Sequence, residues 1–479
     1  MSAPIRPDFW RILHPTLAPA RAAGRAYLEA DRYVKRIDER EYRESDQGWP
    51  LVVADRVFAK GPPNWRFMFS TKPGQFSYVL VDNVPELKEG MKAAIGLAER
   101  DSQFAEGLSY LHHVKDREQR TAYLEDDFLS IVGDILGRAE ALGVTGDSEL
   151  LDIYLQVEKG RFASELTGDI VVPLVLTAFD ATEPIRLFDD FWLEPLDEAA
   201  HRARALDSSQ YEPASPLIAA AATHAIVQRN QSFRNTMWPP QIHRGVDLTP
   251  VSLETVNRVL ESIHIVTGKQ SGYAQVLVRS ESWVSWHGWI NDLPHIWKAA
   301  TMKVYPNSIN GGWLRPMEPI PATQISEVAA VLTALIRSPK NVQLAARRCF
   351  RSTFREDIED EILDATIGIE ALLSHGRDEL THRMSLRAAT ALAGEFRTDA
   401  IYEILKQVYA QRSQIVHGTI PKNSKVRFGD SEFWTNHMGV FLLRHLLRSY
   451  LLSDDPWTPA ALDTLMIERL GRINLQQEH

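Results

Sequence analysis

From Ala322 onward this chain of 479 residues sets its apolar side chains three and four apart, in stretches ended by glycine or proline. Such positions share one face of a helix, because an α-helix turns 3.6 residues per turn. Ala322 to Ile336 stops at Ser338-Pro339, Val342 to Phe354 follows, and Ile358 to Leu373 stops near Gly376. Leu380 to Ala393 stops at Gly394, Thr398 to Val416 stops at Gly418, and Phe433 to Leu452 and Pro459 to Leu470 complete the set. Ile362, Ala365, Ile369 and Leu372 make one buried stripe, as the core of a bundle requires. An all-α bundle over residues 322–479 is therefore expected.

Upstream the pattern changes. Tyr305 to Pro321, with four prolines and a Gly-Gly, reads as a linker. Between about 150 and 315, strand signals dominate: Leu151 to Val157, Asp169 to Phe179, Ile185 to Leu193 and Ala274 to Val278, with one helix at Ser252 to Ile263. Before residue 145 the signals are mixed. Phe67 to Phe69 and Phe76 to Val81 are β-type runs around Lys72-Pro73-Gly74, whereas Pro85 to Ala98 and Arg120 to Leu142 are helical, the second closing at Gly143. The expected class is α+β: a mixed α+β region over 1–145, a strand-rich α+β region over 146–310, and the bundle.

Several functions are poor fits. The first residues lack the apolar stretch of a signal peptide, and the longest apolar runs, Val171 to Ala178 and Ile218 to Ala222, fall short of the ~20 residues a membrane span needs. A cytoplasmic protein without membrane partners is expected. One cysteine, Cys349, leaves no disulfide framework and no multi-cysteine zinc motif, so neither a metal site nor a cofactor is expected. A formal charge of −10 argues against coating nucleic acid with the whole surface. Most of that charge lies upstream of Ala322, which leaves the C-terminal part the more permissive surface for phosphates.

The segment QVYAQRSQIVHGTIP carries the chemistry. Arg412 and His417 are five positions apart, which on a continuous helix means about 500° of rotation and side chains about 140° apart. Gly418 suits a left-handed C-cap, so His417 is expected where the helix ends, with Arg412 one turn earlier and able to reach the same point. Such a pair fits RNA cleavage without metal. A histidine titrating near neutrality can move the proton of an attacking ribose hydroxyl or of its leaving oxygen, typically worth about 10² to 10⁴ in rate. An arginine can hold the phosphate bidentately and stabilise its developing charge.

Spacing alone is a weak signal, equally met by a surface arginine beside a capping histidine. The phrase from Tyr409 to Gly418, preceded by IEDEILDATIGIEALLS and LTHRMSLRAATALAG, resembles the HEPN superfamily, in particular its Apea-like branch. There an Arg-x4-6-His motif closes a late helix of a small bundle. The resemblance covers about residues 322 to 455. It implies a metal-independent endoribonuclease acting as a homodimer, with Arg412 and His417 in the catalytic roles and the motifs of two protomers meeting in one cleft. Ser413 stands where catalytic members often carry asparagine, and its hydroxyl can still support a phosphate oxygen. Glu370 and Arg387 fall where the branch often has an acid and a base; they read here as a buried ion pair.

Arg347, Arg348, Arg351 and Arg355 form a positive stripe, either a phosphate track for RNA or the partner of the acidic cluster Glu356, Asp357, Glu359, Asp360 and Glu361. Trp283, Trp286, Trp289 and Trp297 could stack unpaired bases, but read first as core. IVTGKQSG around Lys269 lacks the upstream glycine and the Ser or Thr of a phosphate loop. Glu125-Asp126-Asp127 and Asp189-Asp190 have no further ligand at metal spacing and read as solvated faces. His112-His113 point to different sides.

The expected protein is thus an RNA-cleaving HEPN dimer behind an N-terminal region that senses a phage or cellular trigger or positions something. By resemblance it is a toxin or anti-phage defence effector, with tRNA a candidate target. The alternative is a catalytically silent HEPN bundle serving dimerisation or RNA binding, with function in the N-terminal region.

Overall fold

The computed structural model describes residues 3–54, 61–73, 79–109, 111–206, 213–235, 253–285, 289–290, 292–311, 315–374, 380–419 and 424–476. It opens on helix α1 (Pro7–Glu29), the hairpin β1 (Arg40–Glu44) and β2 (Pro50–Ala54), and the two-residue strands β3 (Phe69–Ser70) and β4 (Val79–Leu80). Four helices follow: α2 (Pro85–Arg100), α3 (Ser102–Leu108), α4 (Arg117–Leu142) and α5 (Asp147–Phe162). Phe9, Leu13, Leu87, Phe104, Phe128, Ile135 and Tyr154 are buried in one core shared by these helices. Nothing in the sequence reading announced α1, whose Pro15 and Pro19 lie inside the helix. Of the β-type run Phe76 to Val81, the first three residues lie outside the described set.

Leu151 to Val157, expected as a strand, is the middle of α5. Its alternating Leu151, Ile153, Leu155 and Val157 imitate a period of two. The buried set is nevertheless Leu150, Ile153, Tyr154 and Val157, at helical steps. Glu149 accepts from the Gly146 N–H at 3.2 Å, and acidic residues fill the first turn and basic ones the last, which favours helix at both ends.

Next come β5 (Glu165–Val175), β6 (Ile185–Phe188), β7 (Phe191–Pro195), the short helices α6 (Glu198–Arg204) and α7 (Pro216–Ala220), β8 (His224–Arg234), α8 (Leu253–Thr267), β9 (Gly272–Ser280) and β10 (Ile296–Val304). The strands form one antiparallel sheet in the order β10-β9-β5-β8-β7-β6. Strands β8 and β10 escaped the sequence reading. The polar second half of β8 and the Lys, Ala and Met of β10 are weak strand formers, held there by pairing with neighbours. Ile170, Val172 and Leu174 of β5 enter the same core as Val256, Val259, Leu260 and Ile263 of α8, while Val171 turns to the opposite face.

Where it is described, the expected linker is no free tether. Ile320 is fully buried, donates its N–H to Ala178 O at 2.8 Å and accepts from the Asp180 N–H at 2.9 Å. Trp49 Nε1 donates to Arg315 O at 2.7 Å. Helices α9 (Ala322–Arg337), α10 (Lys340–Ser352), α11 (Ile358–Leu373), α12 (Leu380–Ala391), α13 (Thr398–Val416), α14 (Thr435–Leu451) and α15 (Pro459–Gln476) then form the bundle. A hairpin, β11 (Lys425–Phe428) and β12 (Ser431–Trp434), interrupts the expected run of helices between α13 and α14. Helix α14 lies at the centre, with Leu442, Leu443, Leu446 and Leu447 buried. The bundle does not close on itself: α8 packs against α9, α10 and α14, and the sheet and bundle share one hydrophobic cluster.

Among the described residues no helix is long and apolar enough to cross a membrane. Trp283 is fully buried and donates Nε1 to Thr167 O at 2.6 Å, Trp297 is buried in the same core, and Trp289 lies half-buried against Arg138. Trp286 lies outside the described residues.

Candidate active site

Helix α13 buries Ile401, Ile404, Leu405, Val408 and Tyr409 against the bundle and stops where Gly418 follows. His417 keeps near-helical angles, φ −88° and ψ 12°, while Gly418 takes φ +76°, the left-handed conformation that costs glycine least. The Gly418 N–H donates to Ile415 O and the Thr419 N–H to Gln414 O, both at 2.9 Å. These two bonds make a Schellman cap, which satisfies carbonyls that a helix end otherwise leaves open. The turn is further anchored by Gln411, which donates to the Ser424 hydroxyl at the foot of the hairpin.

The imidazole of His417 is exposed and has no hydrogen-bond partner among the described residues. It sits at the C-terminal end of α13, beside the cap. Ser413 is exposed one turn earlier, and its carbonyl accepts the His417 N–H at 3.1 Å. Arg412 is about one-third exposed and reaches sideways to α11, where its Nη2 lies 3.3 Å from Glu370 Oε1. Tyr409, one turn before Arg412 and buried, faces the same carboxylate. Burial, then the Glu370 charge, pushes its phenol above the ordinary tyrosine value.

Because His417 still follows the helical path, its Cβ leaves the axis about 140° from that of Arg412. The glycine cap places the histidine at the helix end without swinging it round to the arginine. Within one chain, therefore, both groups are accessible but leave different sides of α13.

The ion pair expected between Glu370 and Arg387 does not form. Glu370 answers Arg412, whereas Arg387 donates through Nε and Nη2 to Asp463 at 2.8 and 2.7 Å, and through Nη1 to Leu373 O. Asp463 lies on α15, far along the chain, and no sequence spacing pointed to it. Arg383 also reaches Asp463, at 2.7 Å, and together Arg387 and Arg383 draw its carboxyl well below the usual range, the bond from Arg387 contributing most.

The arginine stripe divides. Arg348 and Arg355 both bind the buried Asp364, at 2.6 and 2.7 Å, and Arg355 also reaches Asp360 at 3.2 Å. Asp364 lies outside the acidic cluster expected as their partner, and Asp360 within it. Arg347 and Arg351 turn instead toward α8. No group of three or more His, Cys, Asp or Glu capable of holding a metal occurs among the described residues. Cys349 is buried, and burial pushes its thiol up to about 12, so it is inert as a nucleophile.

No family model, no curated protein and no solved structure matches this chain.

Proposed function

We propose that the chain is a metal-independent endoribonuclease of HEPN type, acting through Arg412 and His417 in a homodimer. The observation that carries the reading is the capped end of α13, where a guanidinium and an imidazole are both open to solvent beside an exposed hydroxyl. An RNA phosphate bound by Arg412 would have its developing charge stabilised by the guanidinium. His417 would deliver a proton to the leaving 5′-oxygen or accept one from the 2′-hydroxyl. Nothing in that chemistry needs a metal.

The angular separation of the two side chains favours a second copy, since Arg412 of one chain and His417 of another can share a cleft that one helix cannot make. Val416, Phe433 and Trp434, large apolar residues on or just beyond α13, are 59%, 42% and 38% exposed, a surface that dimerisation would cover. A role as toxin or anti-phage effector acting on RNA such as tRNA, triggered through the N-terminal region, belongs to the same reading and rests on the family resemblance.

One observation favours a second reading. The Arg412–Glu370 pair gives the arginine a structural partner, as a catalytically silent dimerisation or RNA-binding module would have.

Wild type, Arg412→Ala and His417→Ala separate the two. Cells expressing each would be scored for growth arrest and RNA integrity, and the purified proteins for cleavage with and without chelator. For the nuclease, each substitution removes about 10²-fold or more of the cleavage rate, RNA binding persists in the histidine variant, and chelator changes nothing. Equal behaviour of the three proteins would establish the silent module.

A further inference from the structure

A recess of about 690 Å³ lies where the sheet meets the bundle, away from the end of α13. Helix α8 gives it Glu254, Asn257, Arg258 and Glu261, and α10 with the turn after it gives Arg347, Phe350, Arg351 and Phe354. Both sets are spaced three, one and three, so a single face of each helix looks into the same space. The end of β10 and the turn after it close a third side with Lys303, Tyr305 and Asn307.

Its charges do not balance. Arg258 answers both acids, at 2.7 Å to Glu261 and 3.4 Å to Glu254, and the side chains of Arg258 and Glu261 are only 6% and 4% exposed. Lys303, Arg347 and Arg351 are left with no carboxylate within 4.0 Å among the described residues. Counted together, Arg258, Lys303, Arg347 and Arg351 face Glu254 and Glu261, a surplus of two positive charges. Such a concave wall favours a multiply charged anion, and the two unpaired guanidiniums suit phosphate oxygens in particular. The remaining lining is aromatic. Phe354 is half-buried at the rim, edge-on to Phe350 with centroids 4.9 Å apart, and Tyr305 lies under the Lys303 ammonium at 5.5 Å. A ring at the rim can stack a flat heterocycle, and Asn257 and Asn307 offer amides to its polar edge. The volume lies in the ordinary range for small-ligand sites, roughly 300 to 1,000 Å³.

We propose that this recess binds a mononucleotide, with its phosphates on Arg347, Arg351 and Lys303 and its base against Phe354. A long phosphate track for RNA fits less well, because Arg348 and Arg355, the other half of the stripe, are already held by Asp364. The site stands independently of the nuclease reading. It joins α8, which lies under the sheet, to α10 of the bundle.

The test is calorimetric titration of the full chain with ATP, GTP, UTP, inorganic pyrophosphate and a single-stranded RNA oligonucleotide. Saturable binding of at least one nucleotide is expected. The double variant Arg347→Gln/Arg351→Gln weakens it at least about tenfold and moves the ligand-free melting temperature little, both side chains being exposed. Lys303→Ala, on a different element, weakens it too. Phe354→Ala weakens nucleotide binding and leaves pyrophosphate binding unchanged. The proposal is overturned if none of the three nucleotides binds saturably, or if the double variant binds as wild type does. It is equally overturned if the substitutions affect the RNA oligonucleotide alone, an outcome that would mark a track for RNA.

Discussion

At the scale of single residues, Glu370 decides how the Arg412 guanidinium is presented. The pair is partly open to solvent, at 32% and 22% exposure, so its contribution to stability is at most about 1 kcal/mol. Glu370→Gln therefore leaves the fold intact and frees the guanidinium for phosphate. If the nuclease reading holds, RNA binding tightens and the cleavage rate stays within about tenfold of wild type, as fluorescence anisotropy and a gel assay would report. A loss as deep as that of Arg412→Ala would instead put Glu370 in the machinery. The end of α13 at His417 and Gly418 was legible in sequence because a helix end is a local event, whereas the expected meeting of Arg412 with His417 does not occur within one chain. The partner of Glu370 was not legible: which arginine answers a carboxylate depends on how α11, α12 and α13 are rotated against one another, and Arg387 was drawn off by Asp463, 76 positions away.

At the scale of elements, two glycines make opposite demands. Gly418 is fixed by conformation alone: at φ +76° a Cβ would meet nothing within 4 Å. Gly418→Ala should cost about 1 kcal/mol, the penalty of a left-handed residue, and fray only the last turn of α13. Gly160 is fixed by space. A Cβ there would lie 1.9 Å from Val284 O, at the contact between α5 and the chain leaving β9. Gly160→Ala should cost about 1 to 3 kcal/mol or more, since backbone must move to accept it. Urea denaturation of both variants checks the order, and equal losses would refute the distinction. The same contrast explains which elements could be read. Helices α11 and α13 begin and end where their periodicity does, whereas the alternating apolar residues of α5 mimic a strand because Leu151 and Leu155 are only partly buried on its flank. The β11–β12 hairpin turns at Gly429-Asp430, a tight-turn signal lost among longer helical runs.

Across the whole molecule, the sheet and the bundle share one hydrophobic core and are expected to fold as a unit. Removing residues 1–321 would strip α9, α10 and α14 of α8 and β6, leaving Val328, Leu332 and Leu335 among the apolar residues exposed. A fragment of residues 322–479 is expected to aggregate or bind a hydrophobic dye; a soluble, cooperatively melting fragment would disprove the shared core. Buried histidines tie the same unit to pH. Burial holds His264 down to about 4 and His201 to about 3, and Arg204 lies 2.8 Å from His201 Nδ1, a donor that only a neutral ring can accept. Both enter the fold uncharged, whereas in the unfolded chain they take a proton near pH ~6.5. Their contribution is therefore complete above that value and is lost as pH falls toward 4 and 3, at about 1.4 kcal/mol per unit for each. Nitrogen NMR should find both rings neutral at pH 5. His264→Gln should flatten the decline of stability below pH 6.5, and an unchanged slope would contradict the linkage. The divergence of Arg412 and His417 around α13 has a last implication, for dosage. A cleft that needs one group from each of two molecules obeys mass action, so its abundance falls with the square of concentration when monomers predominate. If the nuclease reading holds, scarce copies would stay harmless to the cell that makes them, and a modest rise in copy number or in local crowding would be enough to arm them.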